Sequence, residues 1–301
     1  CEMPDVAAVE VNFDGITYAK GASILKQLVA YVGLEDFLAG LRTYFDKYAW
    51  GNATFGDLLT ELEAAAGRQL REFAAQWLET AQVNTLRPVI EFGPDGRYAA
   101  VAVHQDAPAE HPTLRTHCID IGLYDLVPGQ TGNRLVRRQL IETTVDGEVT
   151  NLPELAGLPA ADVLLLNDED LSYTKLRLDE RSLATVVANI ASFDSVLARS
   201  LCWTAAWDML RDAEMPTRDY LSLVLTGLPA ERDVSLVGTT LRQAAGALTY
   251  YADPAWAPTG WAALARTARE AVSNAAPASG FQLAWARAYI SAARSQDDLA
   301  E

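Results

Sequence analysis

The spacing of hydrophobic residues changes period twice along this chain, and that double switch limits the fold more than any other feature. Apolar residues every three or four positions can share a buried face only on a helix, whereas strict alternation can share one only on a strand. Helical spacing holds to about Leu86, alternation and turn dipeptides hold from Arg87-Pro88 to Leu178, and helical spacing resumes at Asp179. The expected class is therefore α+β and multidomain, in three parts: 1–86 helical, 87–178 a small β-sandwich, and 179–301 helical again. A length of 301 residues fits two or three domains.

Each part has its own punctuation. Val9 to Phe13 alternates and reads as a short strand, after which Ile24, Leu25, Leu28, Val29 and Val32 form an apolar stripe closed by Gly33. A second helix is expected over Glu35 to Tyr48. A third opens on Thr54-Phe55-Gly56-Asp57, a capping box in form, and closes at Gly67, and a fourth carries Leu70, Phe73, Ala74 and Trp77. In the middle part, strand-like runs cover Val89–Phe92, Tyr98–Val103, Thr116–Tyr124, Leu135–Val145 and Val163–Leu166. The dipeptide Asp146-Gly147 marks a hairpin, because both turn positions tolerate positive φ. Beyond Asp179 the helices start near Leu183, Val196, Tyr220, Glu231, Ala262 and Gly280. Antiparallel pairs of this kind stack into a HEAT-like α-solenoid, although no strict repeat is visible.

Composition bounds the function. The net charge is −16, from 24 basic and 40 acidic residues, which repels phosphate backbones and argues against nucleic acid as a partner. Hydrophobic residues make up 50%, yet no apolar run is long enough to span a bilayer, so no membrane partner is expected. The most aliphatic run, Val163 to Leu166, reads as a buried strand. Cys1, Cys118 and Cys202 form no CxxC pair and are expected to be reduced thiols in a cytoplasmic protein. No basic stretch precedes an apolar core, so the chain shows no signal peptide. A start on Cys-Glu-Met-Pro reads as cut from something longer, and Glu301 as a second cut.

A self-contained active site is hard to find. His104, His111 and His117 lie in no HExxH helix and read as exposed or half-buried side chains rather than metal ligands. GxSxG, P-loop and GxGxxG patterns are all missing. Asn167-Asp168-Glu169-Asp170 lacks the glycine and distal glutamate of a calcium loop and reads as a solvated turn.

The informative segment is Phe13-Asp14-Gly15-Ile16-Thr17-Tyr18-Ala19-Lys20-Gly21-Ala22-Ser23. It resembles the F-D-x-I-x-Y-x-K-G-A segment of M1-family zinc aminopeptidases. Phe37-Leu38-Ala39-Gly40-Leu41-Arg42-Thr43-Tyr44-Phe45-Asp46-Lys47-Tyr48 is similar to that family's F-x-x-G-L-R-x-Y-x-x-K-Y run. Asn52-Ala53-Thr54, Phe73-Ala74-Ala75-Gln76-Trp77-Leu78, Asn167-Asp168-Glu169-Asp170 and Leu201-Cys202-Trp203-Thr204-Ala205-Ala206-Trp207-Asp208 are similar to later family positions, so the resemblance runs along nearly the whole chain.

The resemblance implies that residues 1–86 form the helical end of a thermolysin-like catalytic domain. It further implies that the parent protein removes N-terminal amino acids from peptides with one zinc ion. Tyr18 occupies the position of the family's transition-state tyrosine. Zinc-activated water would attack the first peptide carbonyl, and a phenol O–H aimed at its oxygen would stabilise the growing charge. Lys20 is expected to be a structural hydrogen-bond donor and Gly21 to allow close helix packing. The family's HExxH helix, its third zinc ligand and its GxMEN segment all precede the tyrosine and do not occur here. This chain is therefore expected to bind no zinc by itself and to work with the preceding segments of the same polypeptide. Without the resemblance, the residues equally describe a helical-repeat scaffold that binds peptides or proteins, and an HExxH directly upstream in the gene would separate the two.

Overall fold

The computed structural model describes residues 5–11, 13, 15–130 and 132–294. Cys1, Asp14 and Glu301, each singled out above, lie outside them. The chain is mixed α and β, and its element types change where the hydrophobic period does. The helices α1 (Val6–Val11), α2 (Gly21–Val32), α3 (Leu34–Lys47), α4 (Phe55–Ala66) and α5 (Arg71–Leu78) come first. Strands β1 (Thr85–Phe92), β2 (Tyr98–Asp106), β3 (His117–Gly129), β4 (Gly132–Val145), β5 (Val149–Asn151), β6 (Val163–Leu166) and β7 (Lys175–Leu176) follow. The helices α6 (Glu180–Asn189), α7 (Val196–Arg211), α8 (Thr217–Gly227), α9 (Val234–Tyr250), α10 (Ala257–Asn274) and α11 (Gly280–Ala292) complete the order. Among the described residues, no helix is long and apolar enough to cross a membrane.

By compactness the chain gathers into two units. The first contains residues 1–122, 140–160 and 166–176, and the second contains 123–139, 161–165 and 177–301. One four-stranded sheet, in the order β5-β2-β1-β7, belongs to the first unit. Its β1 and β2 pair antiparallel from Thr85 opposite Asp106, with a bulge between Glu91 and Phe92. The parallel pairing with β7 covers only Thr85 and Leu86, so Pro88, which has no N–H to give, sits past its end. A three-stranded sheet has the order β4-β3-β6.

In the first unit the helices close over Ile24, Leu28, Val32, Phe37, Leu59, Leu62, Leu70, Phe73, Ala74 and Trp77. The capping box at the start of α4 forms as its sequence predicts. The Thr54 hydroxyl accepts from the Asp57 N–H and the Asp57 carboxylate accepts from the Thr54 N–H, while Gly67 ends the helix in the left-handed region at φ 64°. Between α3 and α4 the decisive residue is Gly40. A Cβ there would lie 2.9 Å from Leu62 Cα and 3.0 Å from the Glu61 carbonyl oxygen, so the two helix backbones meet at a point that only glycine permits. The expected strand at Val9–Phe13 is not formed: Val6–Val11 is helical, with the Asp5 carboxylate accepting from the Ala8 N–H at 2.8 Å. Alternation over so short a stretch cannot outweigh an N-terminal cap when none of Val6–Val11 is buried; Asn12, within the expected strand, lies outside the described residues.

In the second unit, α7 is buried on most of its circumference, with Leu201, Cys202, Trp203, Ala205, Ala206, Met209 and Leu210 all inside. Arg199 on the same helix is 1% exposed. It is matched by Glu231, whose two carboxylate oxygens lie 3.1 and 2.9 Å from Arg199 Nε, and by the Phe193 carbonyl at 2.6 Å. Burial works against the Glu231 charge, but Arg199 and the N–H groups of Arg232 and Asp233 hold its carboxyl below the usual range.

Gly40→Ala is expected to lower the stability of the first unit by about 1–3 kcal/mol, because the methyl strikes backbone rather than a movable side chain. That exceeds the roughly 1 kcal/mol that alanine gains over glycine in a helix. A urea midpoint equal to or above that of the parent chain would show that α3 and α4 can part without loss.

Candidate functional site

The chain enters α2 through a single π-helical turn, Ile16–Lys20, and Tyr18 is its middle residue. Such a turn is one residue wider than the α-helix it joins, and it changes the direction of side chains relative to the helix that follows. The Tyr18 ring is 60% exposed and stands edge-on to Phe13, with centroids 5.1 Å apart and planes at 85°. Its hydroxyl is thus carried at the head of α2 with the ring supported from one side. Lys20 is half-buried. Burial, and then the Arg115 guanidinium, hold its amine below the ordinary lysine range. A Cβ on Gly21 would meet nothing within 4 Å, so close helix packing is not what this glycine provides.

Beneath α2 lies a buried polar cluster in the first unit. Arg115 is 2% exposed, and its guanidinium donates to the Gln76 carbonyl at 2.9 Å, Asn84 Oδ1 at 2.7 Å, Thr80 Oγ1 at 2.6 Å and the Ala81 carbonyl at 2.8 Å. Its backbone N–H donates to Gln105 Oε1 at 2.7 Å, and Gln105 Nε2 donates to the Gly147 carbonyl. His117 Nε2 lies 3.2 Å from the same Gln105 oxygen, and His117 Nδ1 lies 2.6 Å from Ser172 Oγ. Ser172 Oγ in turn donates to Gln27 Oε1 on α2 at 2.7 Å, and the Tyr173 N–H donates to that oxygen as well at 3.1 Å. Trp77 stands edge-on to His117 at 5.0 Å.

These contacts correct two readings. His117 is fully buried, and burial, with the nearby Arg115 charge, lowers its pKa to about 3, so the imidazole is neutral near pH 7. His104 and His111 are half-buried, as expected. The Asn167–Asp170 turn is not solvated throughout: Asn167 and Asp168 are buried. Asn167 takes φ 57° and brackets Ser172, accepting from its N–H and donating to its carbonyl, both at 2.9 Å. Where a calcium loop would gather oxygens around a metal, the Glu169 and Asp170 carbonyls accept instead from Lys26 Nζ, at 3.0 and 2.7 Å. Gln27, Ser172, Gln105, Asn84 and Arg115 were not anticipated. The one available signal was Gln27, three residues after Ile24 and therefore on the stripe that faces the core.

Among the described residues, no three His, Cys, Asp or Glu side chains come together as a metal would require. Both ring nitrogens of His117 lie against protein groups, Nδ1 beside Ser172 Oγ and Nε2 beside Gln105 Oε1, which leaves neither open to a metal. The residues described here do not fit a zinc ion.

Comparison with known proteins gives a consistent assignment along the chain. Residues 2–77 match the family described as the peptidase family M1 domain, and residues 163–300 match the ERAP1-like C-terminal domain. An aminopeptidase N of Streptomyces lividans is 49% identical over 308 aligned positions, covering 99% of this chain and 35% of that protein. A probable aminopeptidase 1 of Saccharolobus solfataricus is 43% identical over 76 residues, covering 25% of this chain and 10% of that one. Among solved structures, that of Legionella pneumophila aminopeptidase A in complex with aspartic acid superposes with a TM-score of 0.58. It has 15% identity and covers 93% of this chain and 35% of that one, a likeness of fold. The chain thus spans 35% or less of the length of each of these relatives.

The His117 environment has a consequence for stability. Its folded pKa of about 3 lies below the unfolded value of 6.5, so between these values the unfolded chain binds a proton that the folded chain refuses. Stability from this group is complete above pH 6.5 and is lost as the pH falls. From pH 7 to pH 5 the loss through His117 is about 2 kcal/mol. Urea unfolding at the two pH values should show a smaller loss for His117→Gln than for the parent chain, whatever the variant's stability at pH 7. Equal losses would show that His117 is not held neutral.

Proposed function

Because the chain belongs to the M1 peptidase family, we propose that it forms part of a zinc metalloaminopeptidase that hydrolyses N-terminal amino acids from peptides, in which Tyr18 is a catalytic residue. The observation that carries this reading is the 49% identity to an aminopeptidase N along 99% of the chain. In it, residues 1–86 are the helical end of a thermolysin-like catalytic domain, residues 87–178 a β-sandwich, and residues 179–301 a HEAT-like helical domain. The substrates are peptides, and neither nucleic acid nor a membrane is a partner. The protein acts in the cytoplasm. Zinc would be held by segments of the same polypeptide outside this chain, since the described residues offer no ligand set.

The part played by this chain's own residues follows from Tyr18. When the first peptide bond is attacked, charge gathers on its carbonyl oxygen, and a donor already aimed at that point stabilises the transition state more than the ground state. A phenol meets this need without adding charge to the site. The exposure of Tyr18 supports the role, because a core tyrosine would be covered. Val6, Val11, Phe13, Leu34, Phe45 and Trp50 are also exposed within the first fifty residues, as suits a segment that buries apolar surface against further parts of the protein.

In the complete, zinc-loaded protein, Tyr18→Phe is expected to lower kcat on the order of 10²- to 10³-fold, to change KM less, and to leave the zinc content normal. A kcat within a few-fold of the parent would remove Tyr18 from catalysis. The 301-residue chain expressed alone is expected to hold well under one zinc per molecule after dialysis and to release no product from an aminoacyl anilide. Stoichiometric zinc, or turnover, would mean that a ligand set exists within the chain.

A further inference from the structure

Gln27 is polar and fully buried on the face of α2 that otherwise carries Ile24, Leu28 and Val32. Such a residue is costly unless its polar atoms are met. Its oxygen is met twice, by the Ser172 hydroxyl and the Tyr173 N–H, while its Nε2 has no partner. The side chain therefore serves as an acceptor, and its acceptor contacts are both with residues 172 and 173. Lys26, its neighbour on α2, binds the same loop at the Glu169 and Asp170 carbonyls, but that lysine side chain is about half exposed and its tie is the weaker one.

The direction of the buried chain can be counted out. Three contacts lie in series: Gln105 Oε1 to His117 Nε2 at 3.2 Å, His117 Nδ1 to Ser172 Oγ at 2.6 Å, and Ser172 Oγ to Gln27 Oε1 at 2.7 Å. Both ends are carbonyl oxygens. A neutral His117 brings one N–H and Ser172 one O–H, so two protons serve three contacts. The two short contacts take them and the long one goes without. His117 thus donates from Nδ1 to Ser172, and Ser172 donates to Gln27, a one-way series that ends on α2. The loop end is fixed in its turn by the two bonds from Asn167 to the Ser172 backbone.

We propose that Ser172 and His117 are positioning residues for Tyr18: through Gln27 they set the rotation of α2 about its axis, and with it the direction in which the Tyr18 hydroxyl points. The inference rests on the reading of Tyr18 given above. The π-turn that carries Tyr18 continues directly into α2, so Gln27, about 13 Å along the axis, and Tyr18 turn as one body. The apolar contacts of Ile24, Leu28 and Val32 hold the helix on the core and set which face is inward, but they are not directional and do not fix the last few degrees of its rotation. A directional bond at Gln27 supplies what they lack. Catalysis tolerates little misplacement: an error of about 1 Å costs on the order of 10²-fold.

The test is a double-mutant cycle in the complete, zinc-loaded protein, reading kcat and KM for the parent, Ser172→Ala, Tyr18→Phe and the double variant. Ser172→Ala alone is expected to lower kcat roughly tenfold with KM within about twofold. In the Tyr18→Phe background it should change kcat by less than about twofold, because the hydroxyl it aims is gone. If Ser172→Ala lowers kcat by the same factor in both backgrounds, or lowers only the melting temperature while Tyr18→Phe lowers kcat, the positioning role is wrong and Tyr18 stands. If Tyr18→Phe itself leaves kcat intact, the reading of Tyr18 fails and takes this inference with it. Should Ser172→Ala fail to fold, Gln27→Met cuts the same tie from the α2 side at nearly unchanged volume, and the same cycle with Tyr18→Phe decides.

Discussion

A guanidinium cannot shed its charge, so burying one obliges the fold to surround it with acceptors. Arg115 imposes that condition on the first unit. Its acceptors come from the end of α5, from the segment that leads into β1 and from Asn84 at the strand's threshold, and its own N–H fixes Gln105 on β2. Each of these acceptors is neutral, so the positive charge is solvated by dipoles but not cancelled. That residual field falls on its neighbours. Burial, and after it that field, keeps His117 neutral and depresses the Lys20 amine.

The second unit solves the same problem by the opposite means. Arg177 and Arg199, each at most 2% exposed, face carboxylates: Arg177 meets Asp212 and Glu214, and Arg199 meets Glu231. Removing one partner of such a pair strands a charge and is far more damaging than the pair is stabilising. Of the chain's 24 basic residues, these three arginines are spent on internal order, which leaves the excess of acid largely for the surface.

How much of this could be read from the sequence depends on whether a feature is periodic or convergent. The stripe on α2, the capping box at Thr54 and Asp57 and the left-handed stop at Gly67 are local patterns with local causes, and they appear where expected, whereas Asp146-Gly147 makes no hairpin, because β4 before it and β5 after it belong to different sheets. Val9–Phe13 was misjudged because five residues cannot distinguish the two periods. The buried cluster was invisible for a different reason: Gln27, Gln105, His117 and Ser172 are separated by up to 145 positions, and nothing about a lone glutamine or serine announces its partner. The acidic look of Asn167 to Asp170 misled in the same way, since its carbonyls are occupied by Lys26 from far upstream. Tyr18 was legible only through family resemblance. Composition and spacing alone describe an unremarked tyrosine near the start of a helix.

The π-turn at Ile16–Lys20 bears on how such chains diverge. A turn with one residue more than its α-helical counterpart is what a single inserted codon produces. Losing that codon would restore an ordinary helical turn, leave Ile24, Leu28 and Val32 in their places, and change the direction of the side chains within the turn itself, Tyr18 among them. A one-residue gap here in a comparison of two such proteins would mark no change in the core. It would mark a ring turned to face elsewhere, so that two chains could keep the same tyrosine in their letters and have it in different places in space.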